Sequence, residues 1–195
     1  MVKLFEDNTD RFVVLCGILI FLIEARFLVF TIIIFIYINR NKFNYSKKII
    51  AKRKLLNCIV YFFYCITIIY FISIASELLL HEYDEQKIVK YFKENDIYMI
   101  DLINTVIIAP IVEEIVFRGM LYRLLKSYLP IAMSMVISSF IFSIVHDNVL
   151  VSIVLFALGI LLCFSYEMYK SICFPVLIHS LFNLVMLQLI FCVQL

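Results

Sequence analysis

The feature that most constrains this chain is a succession of apolar stretches, each close to the length of a bilayer crossing and separated from the next by a short charged connector. About 20 consecutive apolar residues cross roughly 30 Å of hydrocarbon as a helix. Stretches of that kind run over about 12–38, 55–80, 97–125, 130–146, 149–166 and from 172 to the C-terminus. In lipid every backbone N–H and C=O must be satisfied within the chain, so such stretches fold as helices unless they close a β-barrel. Composition agrees: 65% of the residues are hydrophobic and only 16% charged, against about half and a quarter in globular proteins. The expected fold is an all-α, polytopic transmembrane helical bundle of about six spans, a multi-pass protein of the cell membrane in direct contact with the lipid bilayer.

Where the charges fall matters more than their sum. A net charge of +2 points to no nucleic-acid partner. Arg40, Lys42, Lys47, Lys48, Lys52, Arg53 and Lys54 lie between the first two spans with no acid among them, which places that loop in the cytosol. The connector 81–96 carries an acidic excess and is expected outside, and Arg118, Arg123 and Lys126 put the far end of the third span back on the cytosolic side. Both termini then lie outside. The start of the chain is not a basic signal-type segment, and its apolar run reads as a retained helix in which Glu24 and Arg26 point apart and make assembly contacts. Cys16, Cys58, Cys65, Cys163, Cys173 and Cys192 all sit in apolar runs without a C-x-x-C pair and read as small hydrophobes. Two regions follow: 1–96, two membrane helices with a polar connector, and 97–195, which holds the residues capable of chemistry.

Ionisable side chains inside apolar segments are costly and persist when paired, solvated in a cavity, or used. Glu114 and Arg118 are four residues apart with the acid first, the favourable order for an intrahelical ion pair. Glu113 lies about 100° round the helix and is left without that partner. A structural salt bridge explains Glu114 and Arg118 but not the second carboxylate. His146 closes the string F-S-I-V-H, and His179 and Asn183 share a face in H-S-L-F-N. A lone histidine on an apolar helix is most often a satisfied core residue. Two of them with a spare carboxylate in one small bundle suit a different chemistry. A carboxylate and an imidazole can deprotonate water between them, and a second imidazole with an amide can stabilise the oxyanion formed when that water attacks a carbonyl.

The strings E-E-I-V-F-R at Glu113–Arg118, F-S-I-V-H at Phe142–His146 and H-S-L-F-N at His179–Asn183 resemble, in order, the three motifs of the CAAX protease and bacteriocin-processing family, also called Abi. The resemblance covers about 97–193 and implies an intramembrane protease core. Carried over, it implies that Glu113 and His146 activate water, that His179 and Asn183 form the oxyanion site, and that Glu114 and Arg118 position the Glu113 helix. The implied partner is a membrane-associated peptide or protein substrate, and the implied roles span peptide maturation and bacteriocin self-immunity. Nothing in the sequence marks a prenyl-binding groove.

Three alternatives stay open at this stage. The polar cluster could hold helices together in a non-catalytic immunity or binding protein; a proton or ion path is disfavoured because few polar residues continue towards either surface. Of the two carboxylates and two imidazoles present, Glu113, His146 and His179 could be ligands to zinc. However, H-E-x-x-H is absent, and water activation by glutamate and histidine requires no cofactor. The chain also has fewer spans than familiar relatives, so a lateral wall of the cavity falls to the first two helices or to a second subunit. Straight helices leave one conflict, because they put Glu113 and His179 roughly 12–15 Å deep and His146 roughly 24 Å deep. A strongly tilted or submerged fourth helix is the expected resolution.

Overall fold

The computed structural model describes residue 15 and residues 52–79, 90, 98–146 and 149–193. The first expected span with Glu24 and Arg26, most of the basic loop and most of the acidic connector lie outside these residues. So does the sidedness read from them.

Five helices make up the described bundle. They are α1 (Lys52–Leu79), α2 (residues 99–125), α3 (Ile131–Ile144), α4 (Val149–Tyr169) and α5 (Cys173–Val193), and no strand occurs among the described residues. Helix α2 begins after an extended Tyr98, whose N–H donates to the Asp101 carboxylate at 3.1 Å. An acid in the first turn suits the positive end of the helix dipole. Pro130 opens α3, and its carbonyl accepts from the Ser134 N–H at 3.0 Å. Lys170, with a φ of 53°, turns the chain out of α4, where a left-handed residue commonly ends a helix.

Helix α2 is continuous but not uniform. Asn104–Ile108 and Ile115–Tyr122 are π-helical, and they flank the α-helical turn Ala109–Glu114. The Ala109 N–H bonds to the carbonyl of Asn104, five residues back, immediately before Pro110. A proline inside an α-helix removes one donor and crowds the preceding turn, and the wider π turn relieves that crowding.

The six-span expectation is met only in part. Leu56–Ser76, Val151–Tyr169 and Cys173–Cys192 are long and apolar enough to cross a membrane. The fourth expected span is corrected to the 14-residue helix α3, about 21 Å at 1.5 Å per residue and well short of the hydrocarbon thickness.

Small residues set the closest helix contact. Ser134, Ser138, Ser139 and Ser143 are buried on α3, which packs extensively along α4. A Cβ added to Gly159 would lie 2.8 Å from the Ser139 Cβ, so only glycine admits this approach. The serine hydroxyls are satisfied nearby, Ser138 by the Phe117 carbonyl at 3.3 Å and Ser143 by the Phe140 carbonyl at 2.8 Å. Phe117, Phe142, Leu158, Leu162 and Ile178 fill the adjoining core. Helix α1 joins the same core through Phe62 and Ile69, and its Tyr61 hydroxyl donates to the Leu161 carbonyl at 2.8 Å. One helix from the N-terminal region therefore covers a flank of α4. Outward faces carry large apolar side chains, among them Phe63 and Phe71 on α1 and Met133 and Phe140 on α3, as lipid contact requires.

Candidate active site

Glu114 is the centre of the polar cluster. Its Oε1 accepts from Arg118 Nη1 at 2.8 Å and is paired with His179 Nδ1 at 2.9 Å. Arg118 reaches further, donating through Nη2 to the Gly159 carbonyl on α4 at 3.1 Å. Three helices are thus joined through one ion pair, and the close approach at Gly159 brings its carbonyl within reach. Glu114 and Arg118 are fully buried and His179 is 3% exposed. Burying such charges is tolerable only when they are paired and hydrogen-bonded. Satisfaction is incomplete, since Glu114 Oε2 and Arg118 Nε have no hydrogen-bond partner among the described residues.

Phe142 packs against this cluster from α3. Its ring centroid is 4.6 Å from the Arg118 guanidinium carbon, a cation–π contact, and 5.1 Å from the Phe117 ring. The same ring stands edge-on to two imidazoles, 5.1 Å from His146 and 5.8 Å from His179. This meets the depth conflict between the motifs: α3 is short, and its C-terminal end reaches the level of Arg118 and His179.

The sequence-derived residues are brought together unequally. Glu113, 23% exposed, directs Oε2 towards His179 Nε2 at 3.7 Å. Glu113 is without Arg118 as a partner, as the spacing predicts, and α5 presents one imidazole to both carboxylates. A carboxylate only accepts, so with Glu114 ionised His179 Nδ1 carries a proton and Nε2 is the edge turned to Glu113. His146, in the turn after α3, is exposed. Its Nδ1 bonds the Phe142 carbonyl at 2.9 Å; a carbonyl cannot donate, so in the neutral ring Nε2 holds the lone pair. That bond also satisfies a carbonyl at the helix end, the ordinary structural role for a histidine there. No hydrogen bond or ion pair joins His146 to Glu113. Asn183 donates through Nδ2 to the Thr105 carbonyl on α2 at 2.9 Å.

Among the described residues no group of three or more His, Cys, Asp or Glu side chains could hold a metal ion. Glu113, His146 and His179 do not fit a zinc site in this structure. They are not gathered as one ligand set, since no hydrogen bond or ion pair joins His146 to Glu113.

Residues 95–185, which span all three motifs, match the family model described as type II CAAX prenyl endopeptidase Rce1-like. That model is one of the CAAX protease and bacteriocin-processing family. No curated protein and no solved structure matches the chain. The family supports a CAAX-type intramembrane protease as the general class of activity, and with three membrane-length apolar helices it makes this a membrane protein.

Two contributors to the polar cluster are not marked by the side-chain pattern of the sequence. Gly159 supplies a carbonyl, which no side-chain pattern reveals, although a glycine in an apolar helix opposite spaced serines was an available signal. Thr105 likewise takes part through its backbone, and the signal there was Pro110, five residues on.

Proposed function

We propose that the protein is a multi-pass intramembrane endopeptidase of the cell membrane that hydrolyses a peptide bond in a membrane-associated peptide or protein. Its reaction uses water activated by Glu113 with His146. Glu113 takes a proton from water as the oxygen attacks the scissile carbonyl carbon. The resulting oxyanion receives hydrogen bonds from the second N–H of Asn183 and from Nε2–H of His179, a step that needs the doubly protonated ring because Nδ1–H is given to Glu114. Collapse breaks the C–N bond, and the proton passes to the leaving amine through Glu113 or His146. Glu114 and Arg118 position the helix that carries Glu113.

The observation that carries this reading is the division between adjacent carboxylates. Glu114 is fully buried and held by two partners, whereas Glu113 is partly exposed and faces an imidazole across 3.7 Å. A general base needs access to water and a free lone pair, and of the two only Glu113 has both. The non-catalytic immunity or binding reading draws on the opposite aspect of the cluster, since Glu114, Arg118 and His179 bond one another and tie three helices together.

The deciding experiment uses purified full-length protein in lipid nanodiscs with farnesylated and unprenylated peptides ending in a CAAX sequence. Cleavage by the parent protein is expected, with a loss of at least about 10²-fold in Glu113→Gln and an unchanged melting temperature. Full activity in Glu113→Gln would falsify this mechanism. No cleavage by the parent, together with bacteriocin protection in cells that survives Glu113→Gln, would establish the non-catalytic reading.

A further inference from the structure

Thr105 occupies a position where the helix cannot satisfy its own backbone. In an α-helix the Thr105 carbonyl would accept from the Ala109 N–H, but that donor is committed to the Asn104 carbonyl by the π turn. In the π register the partner would be residue 110, and Pro110 has no N–H. Both intrahelical donors are therefore removed, one by register and one by chemistry. A carbonyl left open in a nonpolar setting costs free energy unless something else donates to it. Asn183 does so from α5, at 2.9 Å.

The contact also fixes which way the Asn183 amide points. A carbonyl only accepts, so the nitrogen must face Thr105, and the side chain cannot be turned over without placing two oxygens against each other. We propose that Pro110 and the Thr105 carbonyl are positioning residues for Asn183. By this arrangement the π turn creates an acceptor on α2 that holds one amide N–H and so presents the other to the reaction centre. This rests on the endopeptidase reading, to which it adds two residues outside the three motifs. Preorganisation of a donor matters because reorienting it during the reaction would raise the barrier.

Pro110→Ala supplies the missing N–H, which can then compete with Asn183 for the Thr105 carbonyl. In the same nanodisc assay kcat is expected to fall about tenfold or more while KM stays within about twofold. Melting temperature should not fall, because a backbone hydrogen bond is gained as the interhelical one is lost. A purely structural proline would instead lower the melting temperature and leave kcat alone. A second measurement reads the clamp directly. Thr105–Val106 is the one Thr–Val step in the sequence, so carbonyl-13C threonine with 15N valine isolates the Thr105 carbonyl in solid-state NMR. Its resonance should move in Asn183→Leu.

A parent-like kcat in a folded Pro110→Ala protein overturns the positioning role. A Thr105 resonance unmoved by Asn183→Leu overturns the clamp itself, even if Pro110→Ala does not fold. If the parent protein cleaves no peptide, the endopeptidase reading fails and the positioning role fails with it. A moved resonance then upholds the clamp alone.

Discussion

Two glutamates, Glu114 and Glu167, bind cations and tie α2 to a neighbouring helix, yet their surroundings differ. Glu114 takes Arg118 and His179 on one oxygen, with the pair fully buried and its second oxygen without a partner among the described residues. Glu167, near the end of α4, uses both oxygens. Oε1 accepts from the Tyr122 hydroxyl and from Lys126, and Oε2 accepts from Lys170. Glu167 is 13% exposed, Lys126 27% and Lys170 69%. By number of partners the Glu167 cluster is the richer. Burial with incomplete satisfaction, rather than the number of partners, distinguishes the candidate site from a bracing contact at the helix ends.

Glu114→Gln tests the buried side of this contrast and should have the largest effect. It leaves Arg118 buried without its ion-pair partner, at a cost of about 3–5 kcal/mol as for other broken buried pairs. Thermal unfolding in detergent, followed by loss of helical circular dichroism, measures it. A destabilisation no larger than that of Glu167→Gln would erase the distinction between the two clusters.

Gly159→Ala should come next. The new methyl would meet Ser139 at 2.8 Å and push α3 from α4 where Arg118 reaches the Gly159 carbonyl. Overpacking of this kind costs about 1–3 kcal/mol, read in the same unfolding assay. Ser139→Gly in the same protein should restore part of the loss by opening that space. No recovery would mean that the close approach is not what the glycine provides.

Glu167→Gln should have the smallest effect, about 0–1 kcal/mol, because its cations can rehydrate. The little that is lost should shrink further at high salt, which screens exposed pairs more than buried ones. Salt titration of the melting temperature for Glu114→Gln and Glu167→Gln together sharpens the comparison, with only the second difference expected to respond.

What the sequence determined by itself was whatever a single helix or a lipid solvent dictates. Apolar length predicts helices, and α1, α4 and α5 stand where it puts them. The i,i+4 spacing of Glu114 and Arg118 predicts their pairing because the helical period joins both side chains without reference to any other element. The ordered motifs at Glu113, Phe142 and His179 were legible for a similar reason, as local strings of residues. Only the tertiary structure decided which carboxylate His179 would bond, and it bonds one while facing the other. That choice depends on how α5 is rotated against α2. The two π turns of α2 also alter the angular spacing that straight-helix counting assumes. The placing of His146 beside the cluster was decided in the same way, by a short helix α3 held at α4 by serines and one glycine. Backbone acceptors such as Gly159 and Thr105 are invisible to any reading of side chains, because every residue carries a carbonyl and only packing determines which ones a neighbouring donor can reach.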